Sequence, residues 1–102
     1  MMKMTPLLLL SGCLLLAGPV QAGSAEAGKG KAEPCADCHG DNGKGDQDTP
    51  SIAGMSPEAF TKAMKEYQSG VRTKSKKMTK AASKVNDEDI ADLAAYYGAL
   101  PK

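Results

Sequence analysis

The chain has few of the side chains from which proteins build a hydrophobic core. Its 102 residues include no tryptophan, one phenylalanine and three tyrosines. From residue 23 onward it has only 13 large apolar side chains, and its Val, Ile, Leu and Phe together fall far below the ~20% at which a chain starts to look disordered. A domain of about 80 residues is marginal even with a normal core. We therefore expect something other than the polypeptide to supply part of the apolar interior.

Other absences narrow the class of protein. No stretch alternates apolar and polar residues with the period of a β-strand, and no repeat or linker divides the chain. The chain has 13 Lys and Arg against 12 Asp and Glu, for a formal net charge of +1. This balance does not favour a nucleic-acid binder. The chain also has a single histidine, so a metal site built from several histidines is excluded.

The first 22 residues have the features of an export signal. Lys3 gives a positive start, a leucine-rich stretch follows, and small residues end at Ala22, where signal peptidase would cut. We predict a cleaved signal peptide at 1–22, one domain at 23–102 and a periplasmic location. The apolar stretch is short and interrupted, so we expect no stable membrane span. The alternative is a lipoprotein signal that leaves a lipid anchor on Cys13.

Capping residues and apolar spacing predict an all-α domain of three or four short helices. Ser24 can cap the first, and Pro34 should end or bend it. A second is predicted at 57–69, and Asn86 caps the last. The stretch 71–85 is basic and irregular, with room for a short turn of helix. The predicted buried faces consist of Phe60, Met64 and Tyr67, and of Ile90, Leu93, Ala94 and Tyr97.

The segment Cys35-Ala36-Asp37-Cys38-His39 is the attachment pattern for c-type haem. Two cysteines three residues apart lie about one helical turn from each other, so their sulfurs can reach the two vinyl groups of a porphyrin. The imidazole of His39 can then point towards the iron. Bacteria form these thioethers outside the cytoplasm, so the export signal and the motif support each other. We predict one haem c, bound covalently through Cys35 and Cys38, with His39 as an iron ligand.

Three other interpretations of the cysteine pair are weaker. Disulfide oxidoreductases also contain two cysteines at this spacing, but in a βαβ context that the sequence lacks. A zinc site needs four ligands, whereas this chain offers Cys35, Cys38 and His39 without a second cluster. A disulfide between the two cysteines would close a very small loop and stabilise the fold little.

The candidates for a sixth iron ligand are methionines. Met64 lies on the apolar face of a predicted helix, where core packing accounts for it. Met55 follows His39 by 16 residues, a short distance for a chain that must wrap around a haem edge. Met78 follows it by 39 residues, which is enough to cross to the distal face, and we favour Met78. A thioether ligand raises the reduction potential. The alternative is an open sixth position, as in a haem enzyme or gas sensor.

Together, these motifs resemble a class I cytochrome c of the short bacterial type. The resemblance rests on the segments 35–40, 50–54, 72–78 and 89–97. It implies a class I cytochrome c fold around one haem and outer-sphere electron transfer between redox partner proteins, without catalysis. It also implies that Met78 is the distal ligand, that Pro50 and Ile52 lie at the haem, and that the Pro50 carbonyl accepts a hydrogen bond from His39 Nδ1.

Two narrower expectations follow from the resemblance. Family members cross their first and last helices closely, with a small residue against an aromatic one, and here Gly28 or Ala32 against Tyr97 would make that contact. Segments 50–55 and 67–70, with the predicted helix that carries Phe60, resemble the haem subunit of flavocytochrome c sulfide dehydrogenase. The alternative to a free-standing carrier is therefore a haem c electron-acceptor subunit of a flavoprotein sulfide dehydrogenase complex.

The shortage of apolar side chains predicts that the chain without haem is largely unfolded. The test is far-UV circular dichroism of a Cys35→Ala, Cys38→Ala double variant prepared without haem. We expect a weak helical signal and no cooperative thermal transition, because the apolar area buried by the polypeptide alone does not offset its conformational entropy. The haem-loaded wild-type protein is the control. A cooperative transition in the double variant would contradict the prediction.

Overall fold

The computed structural model describes residues 23–102, which form five α-helices and no strand. The helices are α1 (Ala25–Lys31), α2 (Glu33–His39), α3 (Pro57–Ser69), α4 (Lys76–Ala82) and α5 (Asp87–Ala99). The all-α fold class is confirmed, with five helices where three or four were expected. Within these residues, no helix combines the length and apolar character needed to span a membrane. The predicted signal peptide and Cys13 lie outside the described residues.

The N-terminal helix ends where the sequence predicts, and a second helix follows almost at once. The Ser24 side chain caps α1 by accepting a hydrogen bond of 3.1 Å from the Ala27 N–H. Pro34 lies in the first turn of α2, where its missing N–H costs no intrahelical hydrogen bond. The backbone of Ala32, between the helices, keeps helical angles. The cysteine motif therefore lies on a helix of its own.

The basic stretch contains a helix of two turns, more than the short turn expected there. Ser75 caps α4 by accepting a hydrogen bond of 3.1 Å from the Met78 N–H. Ala82, near the other end, is fully buried. The sequence understates this helix because a seven-residue segment with one fully buried side chain shows no apolar period.

Helices α3 and α5 carry most of the core. All seven side chains predicted to be buried on these helices are buried. The rings of Phe60 and Tyr97 stack with their centroids 5.9 Å apart. Asn86 and Asp89 form a capping box at the start of α5, which satisfies two backbone donors that the helix leaves open. The core thus joins the middle and the end of the chain.

Helix α1 crosses α5 at Gly28 so closely that no side chain fits between them. A Cβ atom on Gly28 would lie 2.1 Å from the Asp92 carbonyl oxygen and 2.7 Å from Tyr96 Cβ. The expected small-residue crossing is present, and the nearest partners of Gly28 are Asp92 and Tyr96. Tyr97 instead lies in the buried core cluster that also contains Ala32.

A buried carboxylate reinforces this crossing. Asp92 is 6% exposed, and its Oδ1 accepts a hydrogen bond of 2.8 Å from the Ser24 N–H. Its Oδ2 accepts one of 2.6 Å from Lys31 Nζ, which also lies 2.9 Å from Asp89. The hydrogen bond from Lys31 holds the pKa of Asp92 below its usual value, and the same carboxylates raise the pKa of Lys31. The start of α1 is thereby tied to α5 by charge-assisted hydrogen bonds.

This contact predicts a loss of stability in acid. Because the pKa of Asp92 is lower in the folded than in the unfolded state, its contribution is present above the unfolded pKa and is lost as the pH falls through the folded pKa. We expect the free energy of unfolding to fall as the pH drops below about 4. The measurement is chemical denaturation of the haem-loaded protein from about pH 7 to about pH 3.

Two variants isolate the Asp92 contribution to this pH dependence. Asp92→Asn should be less stable near neutral pH and should lose less stability in acid. Asp48→Asn, in an exposed loop, should keep the wild-type pH dependence. If the free energy of unfolding of Asp92→Asn falls as steeply in acid as that of the wild type, the pH dependence does not come from Asp92.

Candidate functional site

Helix α2 presents the three motif side chains in different environments. Cys35 is half-buried, Cys38 is exposed and His39 is 6% exposed. Both cysteines are free thiols, with no disulfide between them. Their spacing places them one turn apart on one short helix. The helix therefore offers two available sulfurs and a buried imidazole within five consecutive residues.

The buried imidazole has a defined orientation. His39 Nδ1 lies 2.9 Å from the Pro50 carbonyl oxygen. A carbonyl can only accept a hydrogen bond, so Nδ1 carries the proton and donates. In the neutral ring this leaves the lone pair on Nε2, at the far side of the imidazole. His39 is thus held as a metal ligand would be, with a carbonyl fixing its tautomer and ring direction.

The loop between α2 and α3 brings Pro50 to the imidazole. The Gly45 N–H donates to the His39 carbonyl at 2.7 Å, and the Ile52 N–H donates to the Gly43 carbonyl at 2.7 Å. Gly45 has a φ of +66°, and a Cβ there would lie 2.7 Å from the Pro50 carbonyl oxygen. Both the backbone angle and the close approach require glycine at this position. The loop thus folds back on the helix that carries His39.

Apolar side chains from three segments lie at the border of the core. They are partly buried and pack against the core cluster, and they include Cys35, Ile52, Met55 and Met78. Met64, by contrast, is 6% exposed and belongs to the core itself. Ile52 and Met78 are distant in sequence, and the fold packs both against the core that Cys35 touches. These side chains can cover the face of an apolar ligand.

Cys35 packs against the core cluster that contains Tyr97. Burial raises the pKa of the Cys35 thiol, and a hydrogen bond with Tyr97 partly offsets this. Burial likewise raises the pKa of Tyr97. Both groups therefore remain protonated at neutral pH. Apolar spacing identifies Tyr97 as buried, but no sequence signal connects it with a cysteine 62 residues earlier.

These features fit a covalently bound haem. The two free thiols have the spacing for two thioethers, the imidazole has an available Nε2, and the half-buried apolar side chains suit a porphyrin. An external apolar group also accounts for the scarcity of large apolar side chains in the chain itself.

Comparison with known proteins leads to the family that the sequence motifs resemble. The sequence profile for Cytochrome c matches residues 25–100. Cytochrome c-554(548) of Halomonas halodenitrificans is 40% identical over 79 residues, covering 74% of this chain and 95% of that relative. A cytochrome c4 of Pseudomonas aeruginosa is 38% identical over 77 residues, covering 74% of this chain but 38% of that protein.

A solved structure has the same fold. Reduced recombinant cytochrome c4 from Pseudomonas stutzeri superposes with a TM-score of 0.70 at 29% identity, covering 78% of this chain and 47% of that one. The chain therefore spans less than half the length of these cytochromes c4. The similarity to cytochromes c4 and c-554(548) does not favour the flavoprotein-subunit alternative. The chain belongs to the cytochrome c family and is an electron carrier with covalently attached haem c, not an enzyme.

Proposed function

We propose that this chain is a periplasmic monohaem cytochrome that carries single electrons between redox partner proteins by outer-sphere transfer. The hydrogen bond from His39 Nδ1 to the Pro50 carbonyl carries the proposal, because it prepares Nε2 of a buried imidazole to bind metal beside two free thiols. A bound haem would supply one-electron chemistry between Fe(II) and Fe(III). The protein holds the group, excludes water and sets its potential.

Each motif residue has a separate task in this proposal. Cys35 and Cys38 form the two thioethers, the first at the edge of the core and the second at the surface. His39 would be an iron ligand, and the Pro50 carbonyl orients its ring. Ile52, half-buried against the core, contributes to the apolar wall.

Met78 is the proposed distal ligand. Its side chain is half-buried at the border of the core, and its backbone N–H is held by Ser75 in the first turn of α4. Met64 is buried among core side chains, which leaves its thioether less free to reach an iron atom. His39 and Met78 would together hold the iron, which would leave no place on it for a substrate.

The Met78 proposal predicts a change in ligation and potential. Met78→Ala should abolish the weak long-wavelength band that methionine-to-iron bonding gives ferric haem. It should also lower the reduction potential by more than about 100 mV, given the range that axial ligands control. Visible spectroscopy and potentiometric titration measure both. Met55→Ala, at another half-buried methionine, is the matched control and should keep the band. The assignment fails if Met55→Ala loses the band and Met78→Ala keeps it.

A cluster of exposed lysines supports a docking role for the segment around Met78. We call it the basic surface, and it consists of Lys74, Lys76, Lys77, Lys80 and Lys84, all exposed. Arg72, which the sequence groups with them, is instead paired with Glu66 at 2.7 Å. The ion pairs found within residues 23–102 involve none of these five lysines. Their charge can therefore steer a partner with an acidic patch towards the Met78 side.

The basic surface predicts a steep salt dependence for oxidation by an anion. Stopped-flow oxidation of the ferrous protein by hexacyanoferrate(III) should slow as salt rises towards about 0.1 M, where charges are screened beyond about 10 Å. Lys76→Glu with Lys77→Glu should slow oxidation at low salt and leave the visible spectrum unchanged. The control, Lys29→Glu with Lys44→Glu, makes the same change in net charge at exposed positions elsewhere. Equal rates for the two double variants would mean that these lysines only solubilise the loop.

The periplasmic location rests on the predicted leader and on the chemistry of haem attachment. We expect the mature protein to begin at Gly23, one residue after the predicted cleavage site. Intact mass spectrometry of the haem-loaded protein from a bacterial periplasm gives the N-terminus. A mass that corresponds to a lipidated Cys13 at the N-terminus would instead establish the lipoprotein alternative.

A further inference from the structure

The segment that carries Met78 is held to α3 at its beginning. The Arg72 guanidinium donates to Glu66 Oε1 from Nε at 3.1 Å and from Nη2 at 2.7 Å, and the Arg72 N–H donates to the Glu66 carbonyl at 3.1 Å. The guanidinium carbon also lies 5.6 Å from the centre of the Tyr67 ring, within range of a cation–π contact. Three hydrogen bonds therefore fix the chain six residues before Met78.

A single side chain of α3 holds the other end of this segment. Gln68 Nε2 donates to the Ala82 carbonyl at 2.8 Å and to the Val85 carbonyl at 2.9 Å. A side-chain amide has two N–H donors, so these two hydrogen bonds use both. Ala82 is the last residue of α4, where helix carbonyls lack intrahelical partners. Gln68 thereby ties the C-terminal end of α4 to α3.

Helix α4 depends on such contacts for its position. A helix of seven residues is not stable on its own, and Ala82 is its one fully buried side chain. Met78 lies four residues before Ala82, so the two side chains are neighbours on one helix face. A shift at the Ala82 end of α4 would therefore move the Met78 thioether.

We infer that Gln68 is a positioning residue for Met78, acting by holding the end of α4 on α3. This inference rests on the proposed ligation of iron by Met78. Loss of the amide donors lets α4 move away from the core, so that the bond from Met78 to iron is broken for a larger fraction of the time. An external ligand binds only in that open state, and its apparent affinity rises in proportion to the open fraction.

Imidazole binding to the ferric haem-loaded protein measures the open fraction. Gln68→Met keeps the length of the side chain and removes both donors. Its apparent dissociation constant for imidazole should fall by at least about threefold, because two hydrogen bonds are lost and one of ordinary net strength is worth about that factor or more. Gln68→Lys restores a donor and should lie nearer the wild type. Gln47→Met makes the same substitution at an exposed loop position and should bind imidazole like the wild type.

A second comparison separates positioning from general stability. Asn86→Ala removes the cap of α5 and should lower the thermal midpoint without changing the affinity for imidazole. If Gln68→Met lowers the midpoint but binds imidazole like the wild type, Gln68 is only structural and the inference is overturned. If wild type and Met78→Ala bind imidazole equally, the ligation by Met78 fails, and Gln68 then has no ligand to position.

Discussion

A buried imidazole needs a partner for its Nδ1 proton, and in this protein the Pro50 carbonyl is that partner, at 2.9 Å from His39 Nδ1. The contact depends on a glycine loop, because Gly45 brings the backbone of the loop against Pro50 where any Cβ would clash. The cysteines on the same helix are correctly spaced whether or not this loop closes. The direction of Nε2, and so the ability of the helix to present a ligand to iron, is set by the loop.

The two sides of the proposed haem site differ in how they are built. On the His39 side, a buried imidazole donates a hydrogen bond to the Pro50 carbonyl, and Gly45 packs closely against that carbonyl. The Met78 side is a two-turn helix held by polar contacts from α3. Buried close packing resists displacement, whereas half-exposed hydrogen bonds of modest net strength open more readily. We therefore expect changes in ligation to begin on the Met78 side.

The exposed lysines and the proposed ligand Met78 belong to the same segment, on and around α4. The exposed lysines of the basic surface lie on and around α4, so a partner drawn to them would press on the element that carries the proposed distal ligand. The anchors of that element, Glu66 with Arg72 and Gln68, lie on α3. The lysines that guide a partner are therefore different residues from those that hold α4 in place. This suits an electron carrier, because a partner can be attracted without disturbing the contacts that preserve the environment of the iron.

The sequence alone determined the fold class, the covalent attachment motif and the limits of α3, because capping residues, proline and apolar spacing act locally and are visible in order along the chain. Pro34, Asn86 and the cysteine pair are examples. Tertiary structure decided which residues meet: Gly28 lies against Asp92 and Tyr96, Ala32 shares the core cluster with Tyr97, and Cys35 packs against that cluster. It also decided that Gln68 anchors the Met78 helix. Such contacts join residues distant in the chain, and their geometry depends on how the helices cross, which no local pattern records.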